Sequence, residues 1–248
     1  MLRQLKQYKI HQGLIDICRT LFFTPTCLLC RQTSEDIICS YCIDDCDLST
    51  FSSPSENLLE LPAVMANRAP PLFHQLHAIG WHEGILATLI NQMKFGRQPL
   101  AGKALALLFN QYVLYRLSQI DDLPDAILPV PVSNIRLIQR GFNQAQLLAE
   151  YLHQYQPINI YPAIKKNRHT RQQSRKRREA RILDNQNPFQ LVQKLRFDHI
   201  CIIDDVLTTG ATVNKISELI LTSNPNAKIS VWCMSLAKFN ATQDKETD

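Results

Sequence analysis

Residues 199–220 read HICIIDDVLTTGATVNKISELI, and this stretch constrains the fold more than any other. The run HICIID shows no alternation of apolar and polar positions, as expected for a strand buried on both faces. It ends in two adjacent carboxylates, Asp204 and Asp205, crosses LTTGAT and enters VNKISELI, whose apolar spacing is helical. Other segments repeat the alternation. GILATLINQMKF and LAGKALALLFNQYVLYRL predict helices, while DAILPVPV and KISVWCMSL predict strands. Strands that alternate with helices form parallel sheets through right-handed crossovers, so the fold class predicted is α/β with a parallel sheet.

The same turn points to a ligand. In parallel sheets ligands bind beyond the carboxyl ends of the strands, where Asp204 and Asp205 would lie. The first N–H groups of the following helix are unpaired and electropositive, which favours an anion. Gly210 lets the backbone approach closely beside Ala211, and Thr208, Thr209 and Thr212 add hydroxyl donors. The loop has neither the Lys of a P-loop nor the G-x-G-x-x-G spacing of a dinucleotide fold, which excludes both. Carboxylates beside an anion cradle suit a ligand with hydroxyls at one end and phosphate at the other. A ribose 5-phosphate has that form.

A second motif is independent of the first. CLLCRQTSEDIICSYC places Cys27, Cys30, Cys39 and Cys42 as C-x2-C-x8-C-x2-C, two turns that together supply four thiolates for a tetrahedral zinc ion. Four sulfurs leave no open position, so the zinc is expected to be structural. Cys46 follows four residues later and could replace one ligand, although the paired spacing favours the first four. Cys18, Cys201 and Cys233 sit in apolar contexts and read as core residues.

In a chain of 248 residues these motifs imply a division. Residues 1–50 hold an N-terminal segment and the cysteine module, 51–77 a Ser- and Pro-punctuated linker, 78–240 the α/β domain and 241–248 a polar tail. The most apolar stretch, ALALLFNQYVLYRL, is interrupted by Asn110, Gln111 and Arg116, so no membrane span is expected, and the chain reads as cytoplasmic. The formal charge is +5, yet residues 165–181, KKNRHTRQQSRKRREAR, carry +8 alone, which leaves −3 for the rest. That segment is expected to meet phosphate or to form a solvated charged helix.

CIIDDVLTTGAT closely resembles the signature of the type I phosphoribosyltransferase fold, whose ligand is phosphoribosyl pyrophosphate (PRPP) with Mg²⁺. LPVPVSNIRLIQRGFNQAQLLAE, the basic stretch through Phe189 and the cysteine module extend the resemblance over nearly the whole chain. Together they are similar to the ComF family of GntX-like competence and DNA-utilisation proteins, with a small N-terminal zinc ribbon.

The resemblance implies that Asp204 and Asp205 orient the ribose and that the threonine loop holds its 5-phosphate. It also implies that PVPVS, with Val130 and Pro131, faces the pyrophosphate, and that Arg136 and Arg140 follow within reach. It adds Lys94, near the site, and a mobile basic loop in which Thr170, Gln173, Arg181 and Phe189 match the family pattern, while Lys176 and Asp184 stand where Leu and Asn are usual. Lys94, Arg168, Arg171, Arg178 and Arg181 are the candidate phosphate or DNA contacts.

Two readings stay open: phosphoribosyl transfer, or a non-catalytic module that binds single-stranded DNA or a DNA-uptake helicase while using the same fold as scaffold. A third is a zinc-stabilised interaction protein with an empty pocket.

Overall fold

A computed structural model describes residues 25–45, 48, 57–66, 68, 70–167 and 187–238. The chain divides into two compact units, Met1–Asp47 and Leu48–Asp248.

In the first unit an isolated bridge pairs Thr26 with Thr33, and a short helix, α1 (Ser40–Asp44), begins directly after Cys39. Cys27 and Ile38 are fully buried between these pieces.

The second unit is built on a five-stranded sheet. Its elements run α2 (Pro62–Met65), β1 (Gln75–Trp81), α3 (Gly84–Phe95), α4 (Pro99–Phe109), α5 (Tyr115–Gln119), β2 (Ala126–Pro129), α6 (Asn134–Arg140), α7 (Gln144–His153), β3 (Asn159–Ile160), β4 (Ile164–Lys166), β5 (Phe189–Leu191), β6 (His199–Leu207), α8 (Ala211–Ser223) and β7 (Lys228–Leu236). The strand order is β1-β7-β6-β2-β3, and all four pairings are parallel. The parallel α/β expectation therefore holds. A separate antiparallel pair, β4 with β5, flanks residues 168–186.

β6 and β7 lie at the centre, where both faces are covered, and every residue of β7 after Lys228 is buried. The lack of apolar–polar alternation in Ile200–Ile203 and across β7 follows from that position. Cys201 and Cys233 are fully buried core residues, as their contexts predict, whereas Cys18 and Cys46 lie outside the described residues. Trp232 packs against Phe109 of α4 with ring centroids 5.4 Å apart, and each such fully buried large side chain contributes on the order of 2 kcal/mol.

Two regions differ from the sequence reading. The long helix expected over 100–117 contains a π-turn, Asn110–Leu114, between α4 and α5. The wider i→i+5 bonding of that turn interrupts the α-helical period, and Phe109 before it and Val113 and Leu114 within it are all fully buried. Residues 57–77 fall within the expected linker, yet they carry a 3-10 turn, Leu58–Glu60, the helix α2 and the start of β1. Leu58 and Val64 are buried, and the Asn57 side chain donates to His74 O at 2.8 Å and accepts from Leu76 N at 3.0 Å. Asn57 thus covers part of the outer margin of β1. Elements this short have no periodicity to reveal them.

Candidate functional site

The site forms beyond the carboxyl ends of β6 and β2. β2 ends at Pro129, and the Val130 amide makes one further bond, to Ile203 O at 3.0 Å, before Pro131, which has no amide to donate. Ser133 then caps α6 by accepting from Arg136 N at 3.4 Å, and Gly141 closes that helix at φ 85°, a left-handed conformation costly for other residues. Asn143 caps α7 by accepting from Ala145 N at 3.1 Å, while its Nδ2 donates to Val130 O at 3.0 Å. One side chain therefore fixes both the start of α7 and the end of the β2 segment.

Across from it, Gly210 sits at φ 80° as the N-cap of α8, and Thr209 Oγ1 accepts from Ala211 N at 3.3 Å. The loop is held from a distance by Arg68, whose guanidinium donates to Thr208 O (3.0 Å), Ala237 O (2.7 Å) and Val64 O. Asn214, in the first turn of α8, donates to Pro70 O and accepts from Leu72 N, each at 3.0 Å.

These elements enclose a cavity of about 500 Å³. Asp204, Asp205, Thr208 and Thr212 line it from the β6 side, and Val130, Pro131, Arg136 and Arg140 line it from the β2 side. Lys94 enters from the end of α3. Thr209, Gly210 and Ala211 shape the loop but do not line the cavity. Arg168, Arg171, Arg178 and Arg181 lie outside the described residues.

The electrostatics of the two acids differ. Asp205 is buried and pairs with Lys94, Oδ1 to Nζ 2.9 Å. Asp204 accepts the Asp205 amide at 2.8 Å. Burial and the neighbouring Asp205 charge push the Asp204 carboxyl up to about 7, against the pull of that amide, Lys94 and Arg136. The site thus holds one carboxylate already matched by a cation and a second that lacks one, an arrangement that favours a ligand bringing positive charge. Arg140 donates to Gln144 Oε1 at 3.0 Å and lies 5.3 Å from the centre of the Phe95 ring.

In the first unit, the sulfurs of Cys27, Cys30, Cys39 and Cys42 all lie within 4.8 Å of one another. Those of Cys30 and Cys39 are 3.7 Å apart, close to the ~3.8 Å edge of a tetrahedron with Zn–S bonds of about 2.3 Å. Burial works against ionisation of Cys27, but the amides of Cys39, Cys30 and Leu29 outweigh it and bring that thiol down to about 6. Four sulfurs with this spacing fit a closed structural zinc site.

No family model matches the chain. It is 32% identical over 223 residues to DNA utilization protein YhgH of Salmonella typhimurium, covering 84% of this chain and 95% of that protein. It is 30% identical over 228 residues to Competence protein F of Haemophilus influenzae, covering 87% and 99%. Competence protein ComFC of Bacillus subtilis is 35% identical over 113 residues, covering 44% and 43%. The chain belongs to the ComF family.

This ComF protein also places in its cavity His82, which the sequence did not single out, along with Phe95 beside Lys94 and two residues of the basic stretch, Lys166 and Phe189. His82 follows β1, its Nδ1 is 2.9 Å from Ser235 Oγ, and burial together with Lys94 lowers its pKa and keeps it neutral. Phe95 comes from α3, while Lys166 and Phe189 come from the β4–β5 pair, with the ammonium 5.7 Å from the ring centre. Arg68 supports the ComF loop from outside the cavity, in a segment whose composition is that of a linker.

Proposed function

We propose that the cavity binds PRPP, or a related phosphoribosyl nucleotide, together with Mg²⁺. The observation that carries this reading is the convergence on one cavity of an under-compensated acid pair, a capped threonine loop at a helix start and several cations. Asp204 and Asp205 would accept hydrogen bonds from the ribose 2- and 3-hydroxyls. Thr208, Thr212 and the first amides of α8 would hold the 5-phosphate. Arg136, Arg140 and Lys166 offer charge for the pyrophosphate. Mg²⁺ bound with the ligand would supply positive charge that offsets the negative charge developing on the pyrophosphate.

A pocket of this kind supports phosphoribosyl transfer. The C1–O bond to pyrophosphate breaks, the leaving group keeps the electron pair, and an acceptor bonds to C1 and releases a proton. The chain's share of the catalysis is orientation and charge stabilisation by Arg136, Arg140 and Lys94. Binding without transfer is the second reading, because the fold alone does not establish turnover.

The names of the relatives support a role in DNA uptake and utilisation, and the cluster of four cysteines supports a structural zinc. No described helix is long and apolar enough to cross a membrane.

The test is calorimetry and thermal denaturation with PRPP and Mg²⁺, followed by pyrophosphate release across a panel of nucleobases. A ligand that binds only the folded state raises its stability. Binding that Asp205→Asn weakens at least tenfold, without unfolding the chain, supports the site, and turnover abolished by the same change supports transfer. Unchanged affinity in that variant overturns the assignment.

A further inference from the structure

The four sulfurs of the cysteine module are not equally protected. Cys27 is fully buried, and its Sγ accepts the Cys39 amide at 3.4 Å. Cys39 and Cys42 are partly covered. Cys30 is exposed, and its Sγ lies 3.7 Å from that of Cys39. A cleft of about 500 Å³ is lined by Cys30 and Cys42 together with Gln32, Tyr41, Asp44 and Asp45. A thiolate held by zinc remains a nucleophile, because the metal keeps it deprotonated. Exposure, and a second thiolate close enough to capture the first product, distinguish a cysteine that is reversibly oxidised from one that is inert. Cys30 has both.

Charge selects the reagent. Residues 32–47 contain Glu35, Asp36, Asp44, Asp45 and Asp47 and no Lys, Arg or His, and Arg31 is the one cation over 25–47. Two of these carboxylates line the cleft. An anionic oxidant such as glutathione disulfide is repelled there, whereas hydrogen peroxide is small and uncharged.

We propose that Cys30 is an oxidative modification site, at which its thiolate reduces hydrogen peroxide and Cys39 closes the product to a disulfide that releases the zinc. The inference rests on the fit of the four sulfurs to zinc. In the first step the Cys30 sulfur forms an S–O bond as the O–O bond breaks, giving a sulfenic acid and hydroxide. In the second the Cys39 thiolate forms the S–S bond and displaces another hydroxide. Two thiolates together lose two electrons, and one peroxide becomes two hydroxides. Cys27 and Cys42 alone do not complete a tetrahedral site, so the metal leaves and the module loses what folds it.

The full zinc-loaded chain in a molar excess of hydrogen peroxide tests this, with a metallochromic dye for free zinc and tryptic mass mapping for the bond. Arg31 separates the two C-x2-C pairs, so a Cys30–Cys39 disulfide joins peptides 20–31 and 32–68, whereas a bond within either pair leaves them apart. The expected result is one zinc released per peptide cross-link, with Cys30 and Cys39 identified by fragmentation and the change reversed by reductant with added zinc. Glutathione disulfide at equal concentration should react about tenfold more slowly, and Asp44→Asn/Asp45→Asn, which keeps all four ligands, should narrow that gap. Limiting iodoacetamide should label Cys30 before Cys27. Zinc retained under peroxide, a bond within one pair, a cross-link through Cys27 or equal rates with the two oxidants overturns the proposal. So does loss of the cross-link in Cys46→Ser. A chain that binds no zinc overturns it together with the structural zinc assignment.

Discussion

Lys94 Nζ lies 2.9 Å from Asp205 Oδ1, joining the last turn of α3 to the end of β6. Both side chains are largely buried, so the pair stands in a medium where an unmatched charge is costly. Lys94→Met leaves Asp205 unmatched beside Asp204 and should lower stability at pH 8 by roughly 1–3 kcal/mol. The double variant Lys94→Met/Asp205→Asn should recover part of that loss. Denaturant melts of the four proteins in this cycle measure the coupling directly.

Asp204 gives the ligand-free protein a characteristic pH response. Its carboxyl titrates near 7 in the folded chain and near 4 when unfolded, so the folded state holds the extra proton between those values. The penalty for ionising it is absent below about pH 4, grows through the interval and is complete above about pH 7. Asp204→Asn should therefore flatten the decline in stability between pH 5 and 8 and stabilise the chain at the upper end. If the proposed ligand brings positive charge, wild-type affinity should rise across pH 7 more steeply than that of Asp204→Asn.

His77 predicts the opposite slope. It is buried on β1, and neither ring nitrogen has a hydrogen-bond partner among the described residues. Burial lowers its pKa to about 4, with Lys228 and His199 acting in the same direction and Asp122 opposing. Unfolding lets the ring take up a proton below about pH 6.5, so stability is lost as pH falls from there towards 4. His77→Leu should reduce that loss, seen as a smaller drop in melting temperature between pH 6.5 and 4.5, with partly buried His82 and His199 accounting for part of the remainder.

Arg68 binds three carbonyls from three separate segments with one planar group. Lysine has a single point of attachment and cannot reproduce that fork. Arg68→Lys should cost roughly 1–3 kcal/mol and weaken phosphate-bearing ligands at the threonine loop, whereas Thr222→Ala at the far end of α8 should leave ligand affinity unchanged. Inorganic phosphate and PRPP titrations on both variants make the comparison.

Removal of zinc should unfold the cysteine module. We expect about one zinc per chain by elemental analysis, lost in Cys39→Ser and on chelation, with the circular dichroism change confined to a small fraction of the signal.

What the sequence revealed depended on how local each feature is. Asp204, Asp205 and the loop to Thr212 are contiguous and lie between a continuous apolar run and a segment of helical spacing, so the β6–α8 turn is legible directly. The spacing of the four cysteines is legible for the same reason. His82 and Phe95 reach the cavity from the end of β1 and from α3, and only packing brings them there, whereas Lys166 belongs to the basic stretch that the sequence already marked for phosphate. Single histidines and phenylalanines carry no spacing signal. Arg68 is hidden by its setting, because residues 57–66 form elements too short to show a period.

The Asn57 side chain has a consequence for how this chain behaves at high concentration. By using the His74 carbonyl and the Leu76 amide, it removes from the open side of β1 the first two backbone groups that an incoming strand would need. Growth of the sheet from one molecule into the next is blocked at that boundary by a single amide side chain.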